Sequence, residues 1–486
     1  MRHDRAGLFV LAVGRQHERL ELARCRHRMR RILRRKRRGA WWRAPCHAQV
    51  HAPTRMMFVI GIVAALVLFA AICWRSLHWG AFVLLASLPV YLIRFNVGPL
   101  PTTLLEVLFT VLLVAYLVRF FYDREFFVSF RELLLHPIVR WIGCGVLLLF
   151  VGGVLGLTQT SDLLSSLGIL KSYLVEPALF GLMLLHIKKQ DRYHAHQPIV
   201  LFARALSIPT AMISVWALVQ WSTGITIPIE WFVERRATSI FPYPNAVGHF
   251  VAPIVVFLFA TLLYRKPMPI FRRSSEMWYV GVIVLGLLAM LASQTEAALI
   301  GTIFAMGVGA FYLIHRPLKQ RLLVGGAALA VLLIVLLGVS PLRQKVLLQD
   351  WSGQTRTAQW SETWNLLTAS TRTFAFGVGT NNYPTAVRPF HTVEHFEIFQ
   401  YPHNIVLNIW VELGMLGLLG FAVIALTIGK SWIHGSRFSI LASLPLLEMT
   451  VHGLVDVPFF KNDLSMFTFA FLALWLTVTL KPPKHP

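Results

Sequence analysis

The sequence predicts an all-α polytopic integral membrane protein, a helical bundle of about twelve or thirteen transmembrane helices with a long outer-face loop containing short helices. Three observations carry that prediction. First, 56% of the 486 residues are hydrophobic and only 14% are charged, and mean hydropathy is +0.62, a composition no ordinary soluble domain shares. Second, apolar runs recur along the chain, each approaching the roughly 20 residues that cross a bilayer as a helix. They lack the alternation of a transmembrane strand, which excludes a barrel. Third, Lys and Arg cluster in short stretches between alternate runs, as cytoplasmic loops do.

The net charge of +24 reads as a nucleic-acid signal until it is located. Sixteen Lys/Arg against three Asp/Glu precede Met56, so about half of the excess belongs to the head. The rest marks topology, and no nucleic-acid partner is expected.

Taken in order, residues 1–55 are a basic, disordered head. Its charged run RCRHRMRRILRRKRRGAWWR is too long for a signal peptide. Either it is a tail for nucleic acid or anionic lipid, or translation starts at Met56 or Met57. Residues 56–340 form an N-terminal transmembrane bundle, 341–404 a long loop on the outer face, and 405–486 the C-terminal membrane helices. The predicted spans are residues 57–74, 77–95, 104–121, 139–157, 168–187, 199–220, 249–264, 278–293, 297–314, 322–339, 405–428, 440–455 and 466–480. Basic stretches at 119–140, 188–192, 265–273, 316–321, 430–437 and 481–484 are assigned to the cytoplasm, which places 340–402 and the segment ITIPIEWFVERRATSIFPYPN outside. Thirteen spans with a cytoplasmic C-terminus would leave the basic head outside. Hence either an early span is not a full crossing, with 77–95 and its following Pro99 and Pro101 the foremost candidate, or the head is not translated.

Of four cysteines, Cys73 and Cys144 lie in apolar runs and Cys25 and Cys46 in the head, so no disulfide framework is indicated. HExxH, CxxC, P-loop and GxSxG motifs are absent, and neither a metal nor another cofactor is expected. His391, His395 and His403 form no recognisable ligand set, and His391 and His395, with Glu394 and Glu397 nearby, could hold at most an adventitious ion.

The long loop holds most of the specific signal, because structureless loops of that length are uncommon unless functional. If GQTRTAQWSETWNLL is helical, Arg356, Trp360, Trp364 and Leu367 share one stripe. Arg356 there is either a snorkelling arginine or an anion ligand. Gly377 and Gly379 permit tight turns. Pro402 suits the first turn of a helix starting near His403, whose free N–H groups would face the loop. Asn404, Asn408 and Glu412 then draw a polar stripe that faces either a wet cavity or a neighbouring helix. Arg235 and Arg236 lie on the other outer segment.

The order Arg356 and Trp360, then GVGTNNY, then HNIVLNIWVELGMLGLLGF resembles the shared C-terminal domain of the O-antigen ligase and O-antigen polymerase family. Arg236 with FPYPN, ending at Asn245, is a second likeness, and the resemblance spans roughly residues 104–480. It implies an integral-membrane glycosyltransferase of the bacterial inner membrane, with its site on the periplasmic or outer face. The donor would be an undecaprenyl-diphosphate-linked glycan, and the acceptor a glycan, lipid or protein. His403 matches the family's essential histidine, here expected to orient or deprotonate the acceptor hydroxyl. Arg235, Arg236 and Arg356 are the expected diphosphate ligands, supported by Asn245, Trp360, Asn404 and Glu412. His452 and Asp456 match a family pattern and are read as packing or supporting residues. Where many members carry Ser-Arg-Gly, this chain has Gln294-Thr295-Glu296-Ala297, so that Glu296 either repels diphosphate or pairs with Arg235 or Arg236. A polymerase of the same family and a transporter or flippase are the alternatives; the latter predicts broken helices and ionisable groups deep in several spans.

Overall fold

The computed structural model describes residues 52–97, 100–190, 197–264, 273–313, 347–393 and 396–480, with a few isolated positions between 319 and 345. The basic head before residue 52 lies outside the described residues, and of the predicted span 322–339 only isolated positions are described. The chain divides into two compact units, residues 1–68 and 69–486. In the first, the described stretch 52–68 is the opening part of helix α1 (Ala52–Arg75).

The second unit is a helical bundle, and among its described residues eight helices are long and apolar enough to cross a membrane. They answer to the predicted spans at 104–121, 139–157, 168–187, 199–220, 249–264, 278–293, 405–428 and 466–480. The spans predicted at 297–314 and 440–455 are shorter helices, Glu296–Leu313 and Arg437–His452. The span predicted at 77–95 is not continuous. Helix α2 (Leu77–Ala86) stops at Ser87, Pro89 enters a 3₁₀ turn, and the chain then folds into an antiparallel hairpin of β1 (Arg94–Val97) and β2 (Leu100–Thr103), pairing Arg94 with Thr103. Ten α-helical residues rise about 15 Å, half of the hydrocarbon thickness. Hydropathy counted this run as a span because it does not register the proline that ends it.

The hairpin delivers Thr103 as the N-cap of α3 (Leu104–Tyr122). A reciprocal capping box joins the Thr103 hydroxyl to the Glu106 N–H and the Glu106 carboxylate to the Thr103 N–H. Then follow α4 (Arg124–Leu135), α5 (Pro137–Gly156), α6 (Leu163–Leu170), a π turn at Lys171–Val175, and α7 (Glu176–Gln190). Helix α8 (Gln197–Thr223) and the short α9 (Ile229–Phe232) precede α10 (Asn245–Tyr264), α11 (Arg273–Ala292) and α12 (Glu296–Leu313).

The long loop before residue 405 is itself helical, with α13 (Trp351–Thr368), α14 (Thr371–Phe376) and α15 (Tyr383–Val387). Helices α16 (Ile405–His434), α17 (Arg437–His452) and α18 (Asn462–Leu480) close the chain.

Helices α5 and α16 meet along small residues. A methyl group on Gly152 would come 2.3 Å from the Leu413 carbonyl oxygen, and one on Gly420 would come 2.5 Å from that of Gly145. Lipid tails are as apolar as leucine, so such close backbone approach, rather than water exclusion, supplies the van der Waals contact between the helices.

The loop docks where α16 breaks. Gly414 departs from helical geometry (φ 67°, ψ −171°), and the Val378 N–H donates to the Val411 carbonyl at 2.7 Å, while Trp410 Nε1 donates to the Phe374 carbonyl at 2.7 Å. Gly377, at φ 69°, lies so close that a Cβ would meet the Val411 oxygen at 2.4 Å. The Gly-Val-Gly motif thus anchors the long loop to a membrane helix.

Candidate active site

Three irregular segments converge on one buried carboxylate. Asp456, in the turn between α17 and α18, accepts from its neighbour's Val457 N–H (2.9 Å) and from Asn245 Nδ2 (3.1 Å). His249 Nε2 lies 3.2 Å from Oδ2, and His403 Nδ1 lies 3.5 Å from Oδ1. Asn245 and His249 are one turn apart at the start of α10, so a single helical face presents both to Asp456.

The turn before α16 sets the position of His403. Its backbone is left-handed at φ 47°, a sparsely populated region that persists only when its surroundings hold it. Here the Trp360 indole N–H donates to its carbonyl at 3.3 Å, and the Phe399 ring packs on the imidazole at 4.8 Å between centroids. One residue on, Asn404 caps α16, its Oδ1 accepting from the N–H groups of Val406 and Leu407, while its Nδ2 donates to the Leu454 carbonyl. The Ile405 N–H reaches the Gly453 carbonyl at 2.6 Å. These bonds tie the His403 segment to the turn that carries Asp456.

Burial depresses the His403 imidazole below its usual pKa of 6.5; Asp456 opposes the shift, while Arg356 and His249 add to it. Burial alone would raise the Asp456 carboxyl. The surrounding imidazoles of His249 and His403 and the hydrogen bond from His249 outweigh it and hold the group well below the usual carboxylate range. At neutral pH the pair is therefore a neutral imidazole against an ionised carboxylate. Nδ1 lies 3.5 Å from Asp456 with no hydrogen bond formed, so Nε2 is the nitrogen not set against the carboxylate and the one open to take a proton.

Two arginines stand beside this pair. Arg236 donates from Nε to the Ser293 carbonyl (3.2 Å) and from Nη2 to Asn245 Oδ1 (3.1 Å), and its guanidinium lies 5.0 Å from the Trp231 ring centroid. Two of its five N–H donors are thus committed to holding the fork, leaving the rest for a ligand. Arg356, on α13, donates from Nη1 to the Ser352 hydroxyl at 2.7 Å, and its Nε is buried without a partner. Burial lowers the Arg236 pKa, Glu234 and Glu296 oppose the shift, and Arg356 adds to it. Two guanidiniums near enough to feel each other are an arrangement that an anion relieves.

All these groups border one cavity of about 2610 Å³, whose wall includes Arg236, Asn245, His249, Glu296, Arg356, His403, His452 and Asp456.

Several expectations change. Arg235 is not on the cavity wall. At φ 51° it turns its Nη1 onto the carbonyls of Trp221 and Ser222 at the end of α8, where a cation satisfies free carbonyl groups. The N-terminus of α16 offers no free N–H groups to a ligand, because Asn404 and Gly453 occupy them. The stripe on α13 holds only in part: Leu367 is fully buried and Arg356 and Trp360 are half-buried, but Trp364 is 53% exposed, and Thr355, Gln359, Glu362, Thr363 and Leu366 are also buried. Asn408 and Glu412 are fully buried and neither borders the cavity; Glu412 faces the Asn381 backbone N–H, so its part is in packing the long loop. Glu296 pairs with Lys345, not with Arg235 or Arg236. His391 is held between Glu362 (3.2 Å) and the Phe396 carbonyl (3.1 Å), while Glu394 and His395 lie outside the described residues.

Sequence reading undervalued Asp456 and His452 and missed His249. The spacing of His249 four residues after Asn245, at the start of an apolar helix, is the signal that was there to find. His249, His452 and Asp456 bring possible metal-ligand atoms within 4.8 Å of one another, and Glu448 Oε1 stands 3.4 Å from His452 Nδ1. Both Asp456 oxygens, however, already accept hydrogen bonds from Asn245 and Val457. The protein's own donors thus satisfy this carboxylate.

Compared with known proteins, residues 281–422 match the family model described as O-Antigen ligase. That segment contains Arg356, His403 and the α16 break; Arg236, His249 and Asp456 lie outside it. No curated protein matches the chain.

Proposed function

From the chain's membership in the O-antigen ligase and polymerase family, supported over residues 281–422, we propose that it is a membrane glycosyltransferase that moves a glycan from an undecaprenyl-diphosphate carrier to an acceptor hydroxyl. The reaction takes place at the outer face of the bacterial inner membrane, in the synthesis of a cell-surface polysaccharide. The observation that carries this reading is the His403–Asp456 pair on the wall of a large cavity that also holds Arg236 and Arg356.

In this mechanism the acceptor hydroxyl gives its proton to His403 Nε2 as its oxygen attacks the anomeric carbon. The bond from that carbon to the diphosphate oxygen breaks, and its electron pair leaves with the diphosphate. Arg236 and Arg356 bind the diphosphate and stabilise the charge that builds on it, the larger part of the catalytic effect where leaving-group charge develops. Asp456 holds His403 in the required tautomer and stabilises the imidazolium, as an orienting carboxylate does for a catalytic histidine. Ligase and polymerase activities share this machinery and differ in the acceptor, which in a polymerase is a second carrier-linked glycan.

The test is transfer by purified protein from a lipid-diphosphate glycan, with matched samples of His403→Ala. Transfer that depends on His403 supports the reading. Absence of transfer by the wild-type protein with any hydroxyl acceptor, beside intact carrier binding, removes it.

A further inference from the structure

The cavity wall carries a second pair of cations that the proposed chemistry leaves unused. Arg94 opens strand β1 and is exposed; Lys461 ends the turn that contains Asp456; both border the cavity. The Lys461 ammonium lies 3.9 Å from the Tyr243 ring centroid, close enough for the ring to fix its position. Burial pushes its pKa down to about 8, Asp463 opposing and Arg94 adding to the shift, so the two cations sense each other.

Lys171, on the same wall, differs: it is neutralised between Glu106 (3.2 Å) and Glu176 (3.3 Å). Neither Arg94 nor Lys461 forms an ion pair among the described residues.

The two cation pairs come from different segments: Arg236 precedes α10 and Arg356 lies on α13, whereas Arg94 opens β1 and Lys461 precedes α18. A transfer reaction places two substrates in one cavity, and the diphosphate accounts for one pair. A partly buried ammonium on an aromatic ring, with an exposed guanidinium on the same cavity wall, is suited to a sugar carrying a negative charge, the ring packing on the sugar face and the cations taking its oxygens.

We propose that Arg94 and Lys461 bind a carboxylate or phosphate on the acceptor, and that the acceptor is therefore an acidic glycan. The assignment to the acceptor rests on the transferase reading; the binding of an acidic sugar does not.

The experiment measures binding to the full chain in phosphatidylcholine nanodiscs, with trigalacturonate as the acidic probe and maltotriose as the neutral one. The wild-type protein should bind trigalacturonate at least about tenfold more tightly than maltotriose. Lys461→Gln and Arg94→Gln should each bring it close to the neutral probe, and Lys461→Arg should restore it. Arg235→Ala, off the cavity wall, should leave trigalacturonate binding unchanged, and Lys461→Gln should leave undecaprenyl diphosphate binding unchanged. Equal affinity for the two probes, or a preference that survives both Gln variants, overturns the proposal. So does loss of the preference when phosphatidylglycerol replaces part of the phosphatidylcholine, which would assign the cations to lipid headgroups. Acidic-sugar binding through Lys461 in a protein that transfers no glycan keeps this site and counts against the transferase reading alone.

Discussion

Asp456→Asn removes the charge on which His249, His403 and Asn245 converge while nearly preserving shape. At 3.5 Å from His403 Nδ1, a carboxylate stabilises an imidazolium by about 4–5 kcal/mol at an effective dielectric constant of about 20. Part of that is lost to desolvation, so the expected loss of transition-state stabilisation is roughly 2–4 kcal/mol, or about thirty- to a thousand-fold in kcat. A second effect is specific to this geometry. Asp456 raises the His403 pKa against burial, so its neutralisation lets that pKa fall further. His403 must be unprotonated to act as a base. Activity is therefore lost as pH falls through its pKa, and the acid limb of the pH–rate profile, already expected below 6.5, should move to still lower pH in the variant. Single-turnover transfer across a pH series, with carrier binding measured alongside, reads both effects. A variant with near wild-type kcat and an unmoved acid limb would refute the role assigned to Asp456.

Arg356→Lys keeps the charge but loses the planar fork, so it should retain partial transfer, whereas Arg356→Ala should weaken both carrier binding and turnover; carrier titration and transfer rates distinguish them. Arg235→Ala should leave transfer within about twofold of wild type and cost at most about 1 kcal/mol of stability, because its partners are exposed carbonyls at a helix end. Gly414→Ala places a Cβ 2.6 Å from the Ala375 oxygen at a positive φ. It should lower stability by about 1–3 kcal/mol in thermal unfolding, with loss of protease resistance concentrated in the long loop before residue 405.

How much of this was legible in the sequence depended on whether the signal was local. The apolar spans are local, and eight of them form as expected. The segment at 77–95 failed because its apolar count is indifferent to Pro89, which diverts the chain into a hairpin. Arg356 and His403 were legible through motif and charge. The choice between Arg235 and Arg236 was not, because adjacent residues in a turn point in different directions and only the tertiary structure shows which one faces the cavity. Asp456 and His249 gain their meaning from the meeting of two turns and a helix start more than 150 residues apart in the chain, which no local pattern encodes. The free helix N-terminus expected at His403 failed for a local reason that was visible: Asn404 is among the best N-cap residues and satisfies the donors itself.

The most direct test of the central claim is single-turnover glycan transfer by His403→Ala in reconstituted membranes, with lipid-diphosphate glycan bound at saturation and folding checked by thermal unfolding. If His403 takes the acceptor proton, carrier binding stays near wild type while transfer is abolished. Near-normal transfer by the folded variant would contradict the account, leaving Arg236 and Arg356 as an anion site without the proposed base.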